Sequence, residues 1–169
     1  MKVQFRAAEE HDLPTIEQCV ELAYRPYVAH LGVEPAPLRT DYAEHIRKGN
    51  VLVAESSQGD FVGILLSYFD GTSLVVDNVA ILPKYQRKGA LIDICVKAVR
   101  IARAAGADTI RTFTNQKLTR NIGMYQKLGL SIERIEKMSD RTAVHLEFRL
   151  SELQKVASPI AKWIMRERL

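Results

Sequence analysis

The sequence predicts an α/β (α+β) domain built on a mixed, mainly antiparallel central sheet flanked by helices, and three observations carry that prediction. At 169 residues, 47% hydrophobic and 26% charged, the chain is long and apolar enough for one compact domain with a real core. Three apolar strand candidates follow one another with only short turns between them, which makes an antiparallel meander. On either side, segments with helical apolar spacing alternate with further strands, giving the order βααβββαβαββ and then one more helix.

Each element follows from local chemistry. The opening VQFRAA alternates and reads as a strand. Asp12 then stands as a helix N-cap and Pro14 just inside a helix running to about Tyr24, with Leu13, Ile16, Val20 and Ala23 on one face. Three prolines and a glycine predict a loop from Arg25 to Pro37, followed by a short helix from about Leu38 to Lys48 that Gly49 stops. Val51 to Glu55, Phe61 to Tyr68 and Ser73 to Leu82 form the meander, separated by Ser56 to Asp60 and by Asp70-Gly71. From Gly89 to Ala105 the pattern is helical: Asp93, Lys97, Arg100 and Arg103 make a polar stripe opposite Leu91, Ile94, Cys95, Ala98, Val99 and Ala102. Gly106 closes that helix. Asp108 to Thr114 is a strand, Thr119 to Leu128 a short helix, and Ser131 to Met138 with Thr142 to Leu150 a hairpin-like pair. Ser151 and Gln154 read as a capping box for a C-terminal amphipathic helix carrying Leu153, Val156, Ile160 and Ile164 on one side. The organisation expected is residues 1–150 as the domain and 151–169 as its helical extension.

Charge is distributed unevenly. Residues 1–83 hold 6 Lys/Arg against 12 Asp/Glu, whereas residues 84–137 hold 12 against 4. An anionic ligand for the middle and a cationic one for the first half are one reading of that asymmetry; solvated helix faces are the other. The basic residues alternate with apolar ones and form no run, which disfavours a nucleic-acid surface. No apolar stretch approaches the roughly 18 residues of a membrane span, and MKVQFRAAEEHD lacks the apolar block of a signal peptide, so a cytoplasmic location is expected. Cys19 and Cys95 form no CxxC spacing and have no basic neighbour that would favour a thiolate, His11, His30, His45 and His145 have no metal-ligand spacing, and there is no GxSxG elbow. Metal-dependent and nucleophilic hydrolase chemistry drop out, and no metal is expected.

The informative segment is VDNVAILPKYQRKGALIDIC, Val76 to Cys95: a nearly all-apolar strand, a turn at Pro83, two basic residues, a glycine and an immediate helix start. A turn whose backbone N–H groups open a helix suits a diphosphate, because orphan donors and the helix dipole both favour an anion there. Gln86-Arg87-Lys88-Gly89-Ala90-Leu91 resembles the [RQ]-x-x-G-x-[GA] loop of the GCN5-related N-acetyltransferases, and TRNIGMYQKLGL resembles that family's Tyr-x-x-x-Gly-Phe helix. AYRPYV…EPAPLRTDY, DNVAILPKYQRKG and TNQKLTRNIGMYQKLGL together look like a bacterial subgroup of unassigned substrate. The resemblance spans about residues 3–150 and implies a GNAT-like sheet.

It further implies acetyl-CoA as cofactor and direct acetyl transfer to a primary amine of a small molecule or protein, in a ternary complex. Gln86, Arg87, Lys88, Gly89, Ala90, Leu91 and Ile92 then hold the diphosphate, the backbone of Val79, Ala80 and Ile81 anchors pantetheine, and Tyr125 is the general acid. Asp77 is the candidate base, with a strand-end structural role as the alternative. Tyr24, Tyr27, Asp41 and Tyr42 lie in the region that covers the acceptor, where aromatics and a carboxylate suit a cationic amine. The chain departs from the pattern twice. Leu91 replaces a small residue, and either narrows the cradle or turns into the core. Leu118 replaces a frequent asparagine, for which Asn115 and Asn121 stand nearby. Those departures keep a catalytically silent acyl-CoA-binding or interaction module as the alternative function. The last helix packs on its own domain, makes a homodimer or rests on an acidic surface.

Overall fold

A computed structural model of the chain describes residues 2–153. Its elements are β1 (Val3–Ala7), α1 (Leu13–Tyr24), α2 (Val28–Leu31), α3 (Tyr42–Arg47), β2 (Val51–Ser56), β3 (Phe61–Asp70), β4 (Ser73–Ile81), α4 (Ala90–Ala104), β5 (Thr109–Asn115), α5 (Thr119–Lys127), β6 (Ser131–Lys137) and β7 (Thr142–Arg149). The seven strands form one sheet in the order β1-β2-β3-β4-β5-β7-β6. The β4–β5 pairing is parallel, and β1–β2, β2–β3, β5–β7 and β6–β7 are antiparallel. The predicted mixed, mainly antiparallel sheet with helices is the one observed. Where the C-terminal helix is expected to start at Ser151, Leu150–Glu152 forms a 3₁₀ turn without a side-chain cap, and the rest of the expected helix, from residue 154, lies outside the described residues.

The chain packs as two units, Met1–Ser67 with Asn78–Ile94 and Tyr68–Asp77 with Cys95–Leu169. In the first, Ile16, Cys19 and Val20 of α1 and Tyr42 and Ile46 of α3 form a buried cluster with Val51, Val53, Ile64, Leu66 and Ala80 of the strands. The spacing of Ile16, Cys19 and Val20 is the three-and-four repeat that puts side chains on one helix face. In the second unit, Leu74 lies opposite Ile110, Ile110 opposite Phe148, and Thr112 opposite Leu146, all of them buried. Short β4–β5 register, Ser73 to Val75 with Thr109 to Arg111, begins that unit's sheet.

Three local expectations are corrected. The segment from Arg25 to Pro37 is not simple loop: it holds a 3₁₀ turn (Arg25–Tyr27), α2 and the start of a second 3₁₀ turn (Ala36–Arg39). The following helix starts at Tyr42 rather than Leu38, because Thr40 is extended and the Asp41 carboxylate accepts the Glu44 N–H at 2.9 Å as an N-cap. Asp12 precedes α1 but does not cap it. Its carboxylate instead accepts two hydrogen bonds from the Arg6 guanidinium, at 2.7 and 2.8 Å, and one from the Glu9 N–H at 2.8 Å. A bidentate charged pair outcompetes a cap for the same oxygens.

Candidate acetyl-transfer site

The first unit contains the strand–turn–helix on which the sequence argument rests. β4 ends at Ile81, a 3₁₀ turn follows at Pro83–Tyr85, and α4 starts at Ala90. The Gln86 side chain folds back, its Nε2 donating to the Ile81 carbonyl at 2.9 Å, which ties the loop to the strand it leaves. Arg87 has φ +60° and Gly89 φ +94°. Glycine adopts that region freely, whereas arginine is held there against a steric penalty, and such positions concentrate at ligand-binding turns. The Gly89 carbonyl accepts from Ile92 and Asp93, at 2.9 and 3.3 Å, so the helical ladder starts directly behind the loop. Lys84, Arg87 and Lys88 are exposed on it, with Lys84 Nζ 4.9 Å from the Tyr85 ring centroid. Of the remaining loop residues, Ala90 is buried, Ile92 is exposed and Leu91 is half-buried, so leucine at that position neither enters the core fully nor stands clear of it.

A hydrogen-bond network in the same unit joins three segments distant in sequence. Asn78 is buried, its Nδ2 donates to the Tyr42 hydroxyl at 2.7 Å, and its Oδ1 lies 2.5 Å from the Tyr24 hydroxyl. Tyr24 Oη is also 3.0 Å from the Val79 carbonyl, so its single proton serves either acceptor. The Tyr42 hydroxyl in turn donates to the Pro37 carbonyl at 3.1 Å. The Tyr24 and Tyr27 rings are tilted at 51° with centroids 6.4 Å apart, and Tyr27 is exposed. Of the four acceptor-side residues expected, Tyr24 and Tyr42 therefore meet at Asn78, Tyr27 flanks Tyr24, and the Asp41 carboxylate is engaged at the start of α3.

Gly63 is the residue sequence reasoning passed over. A Cβ at that position would lie 2.2 Å from the Ala80 carbonyl oxygen and 3.0 Å from the Ile81 Cα. β3 thus crosses the end of β4 closer than any side chain allows, and the Leu82 N–H reaches the Val62 carbonyl at 3.0 Å. A lone glycine inside the apolar run FVGILL was the available signal.

The second unit holds the remaining candidates. Asp77 is half-buried and accepts from the Tyr68 hydroxyl at 3.3 Å. Burial first, and then the Asp77 charge, pushes the Tyr68 phenol above its ordinary range. Asn115 Oδ1 accepts the Lys117 N–H at 2.9 Å and the Asn115 carbonyl accepts from Leu118, a turn that leads into α5. Asn121 and Tyr125 are half-buried on α5, and the Tyr125 carbonyl accepts the Leu130 N–H at 3.1 Å. Both cysteine thiols are pushed up to about 12 by burial, which leaves them protonated and poor nucleophiles at neutral pH.

Residues 16–130 match the acetyltransferase (GNAT) family. The chain belongs to that family. Three solved structures carry the same fold. One is the PaiA N-acetyltransferase from Thermoplasma acidophilum in complex with coenzyme A, at TM-score 0.72 and 15% identity over 88% of this chain and 100% of that one. A second is a spermidine N-acetyltransferase SpeG chimera from Vibrio cholerae and hSSAT, at 0.70 and 18% over 90% and 98%. The third, the ribosomal-protein-S18-alanine N-acetyltransferase from Escherichia coli, aligns at 0.67 and 14% over 88% and 94%. No curated protein matches the sequence. The cofactor that goes with this GNAT fold is acetyl-CoA, and the residues of the loop fit it: a left-handed glycine, the N-terminus of a 15-residue helix and three exposed cations.

Proposed function

We propose that this GNAT protein is an N-acetyltransferase that moves an acetyl group from acetyl-CoA to a primary amine by direct attack. The observation that carries the reading is the loop from Gln86 to Gly89, stapled to Ile81 and bent through two left-handed residues at the N-terminus of α4. Backbone donors of residues 86–92 bind the diphosphate, with Arg87 and Lys88 adding charge, and the backbone of Val79, Ala80 and Ile81 holds pantetheine. Asn115 and Asn121 contribute amides to the same cofactor. When bound, acetyl-CoA supplies a thioester carbonyl carbon for the amine nitrogen and a thiolate leaving group. Tyr125 donates its phenolic proton to that thiolate and regains one from water, a net exchange that goes forward because a thiol, with an ordinary pKa of about 8.5, and a phenol, at about 10, are both mostly protonated at neutral pH. Asp77 takes the proton that the amine releases, directly or through water, and Tyr68 holds the carboxylate by its hydroxyl. The acceptor enters on the side of Tyr24, Tyr27, Asp41 and Tyr42, where the rings of Tyr24 and Tyr27 suit its cation and the buried Tyr42 backs them through Asn78. The setting is cytoplasmic, in keeping with an acyl donor of the cytosol; no helix among the described residues is long and apolar enough to cross a membrane.

The reading is tested by calorimetric titration of acetyl-CoA, CoA and dephospho-CoA into the purified protein and into Gly89→Val. Wild-type protein should bind all three, most weakly the one lacking the 3′-phosphate, and Gly89→Val should lose at least tenfold in affinity because a β-branched residue resists that φ. Absence of binding to the wild type would refute the cofactor assignment. Turnover unchanged across pH in Tyr125→Phe would remove Tyr125 as the acid.

A further inference from the structure

Among the described residues β6 is the last strand of the sheet, and all seven of its residues are exposed. Two of them are large and apolar: Ile132 is 43% exposed and Ile135 56%. In a regular strand residues three apart face opposite sides. Here the register with β7 slips between Ile132 and Arg134, so that Ile132 lies opposite Leu146 and Ile135 opposite Val144. Leu146 and Val144 are two apart and share a face, so the bulge turns both isoleucines to that face. The same extra residue sends Glu133 and Arg134 together to the other face. Glu133 there comes within 4.0 Å of Arg111, and Arg134 lies opposite His145. Arg134 Nη1 donates to Glu136 Oε2 at 2.8 Å, and His145 Nε2 lies 2.9 Å from the same oxygen.

Charged side chains on an outer strand ordinarily keep other strands away. In β6 the register centred on Ile135 accommodates them, because Arg134-Ile135-Glu136 is its own antiparallel complement. With a two-fold axis at Ile135, Arg134 stands opposite Glu136 of a second copy and Glu136 opposite its Arg134. Ile135 meets Ile135, and beyond the bulged Glu133, Ile132 meets the aliphatic stem of Lys137 on the same face. Moving the axis to Arg134 or to Glu136 sets like charges opposite each other. Moving it half a residue to either side sets Ile135 opposite Arg134 or Glu136. We propose that β6 pairs antiparallel with β6 of a second copy of this chain about a two-fold axis at Ile135, joining two sheets into one. The interface is isologous, as a two-fold requires, and its charges form a closed ring of Arg134 and Glu136 from each copy, with each His145 beside its own Glu136.

The test measures oligomeric state on the full-length chain. Sedimentation velocity over a dilution series should show a monomer–dimer equilibrium, and Arg134→Glu or Glu136→Arg should each weaken the dimer by about tenfold or more. The double variant Arg134→Glu/Glu136→Arg restores opposite charges and should recover it. Ile135→Cys should form a disulfide-linked dimer on mild oxidation, since directly opposite strand positions lie within disulfide reach, while Ile132→Cys, displaced along the strand from its counterpart, should not. Circular dichroism of each variant establishes that it is folded. A monomer at every concentration would overturn the proposal, and protection of β6 amides in that monomer would assign the edge to another segment of the chain. A dimer indifferent to the charge swaps, or one that Ile132→Cys links as readily as Ile135→Cys does, would equally overturn it.

Discussion

Replacing Gly63 by alanine tests whether β3 and the end of β4 are as close as described. The new methyl carbon would start 2.2 Å from the Ala80 carbonyl oxygen, 3.0 Å from the Ile81 Cα and 3.2 Å from the Ala80 carbonyl carbon. Relieving the first contact requires a movement of about 1 Å, and the obstructing atoms are backbone, which cannot rotate away as a side chain would. Overpacking of this kind costs roughly 1–3 kcal/mol, at times more. Against it, alanine restricts the unfolded chain and regains about 0.5–1 kcal/mol, since Gly63 is not held at positive φ. The net expectation is a loss of up to about 2.5 kcal/mol in urea unfolding. The displaced atoms belong to the strand end proposed to hold pantetheine, so CoA affinity should fall as well, beyond what the loss of folded protein explains. A Gly63→Ala protein with wild-type stability and wild-type CoA affinity would refute both the close approach and its link to the cofactor.

Three further outcomes follow from the same reasoning. Gly123, in the middle of α5, has nothing within 4 Å of a built Cβ, so Gly123→Ala should raise stability by about 1 kcal/mol through helix propensity alone; a loss in urea unfolding would contradict the open space described there. Tyr24→Phe leaves the buried Asn78 oxygen and the Val79 carbonyl to find other donors, and should cost about 1–3 kcal/mol, read by the same unfolding experiment. The Arg6 guanidinium holds the Asp12 carboxyl at about 2 instead of its ordinary 3.8. Because the folded value is depressed, the stabilisation is complete above pH 3.8 and is lost as pH falls through 2, and it amounts to about 2 kcal/mol. Asp12→Asn should therefore lower stability at neutral pH by that order and flatten the acid limb between those values; an unchanged acid limb would mean the pair does not form.

The strand meander and the loop before α4 were legible because both are written in neighbouring residues. Apolar runs broken by Asp70-Gly71 need no distant partner to be strands, and a glycine between basic residues and a helical repeat marks its own turn. What was not legible depends on contacts between residues far apart. Asp12 is a sound cap by sequence, and only the fold brings Arg6 to it. Leu38 begins a plausible helical repeat, yet the Asp41 carboxylate caps the Glu44 N–H and sets the helix boundary after itself. The face to which Ile132 and Ile135 turn depends on one bulged residue, and a bulge leaves no mark in hydropathy.

The same distinction explains why β4 rather than any single side chain organises the candidate site. Adjacent residues on a strand face opposite ways, so Asp77 and Asn78 cannot serve one partner: the first accepts from Tyr68, the second binds Tyr24 and Tyr42. Val79 and Ile81, two apart, turn their carbonyls to the same edge of the strand. Neither needs a neighbouring strand to be satisfied, because the Tyr24 hydroxyl reaches the first and the Gln86 amide the second. Buried carbonyls must have donors, and within a sheet those donors are ordinarily backbone N–H groups. Supplying them from a helix and from the turn lets this stretch of β4 hold its shape with side-chain donors on that edge. Tyr24 and Gln86 are therefore positioning residues for the strand end, and if Val79 and Ile81 hold pantetheine as proposed, substituting either should lower CoA affinity even though neither side chain is required to touch the cofactor.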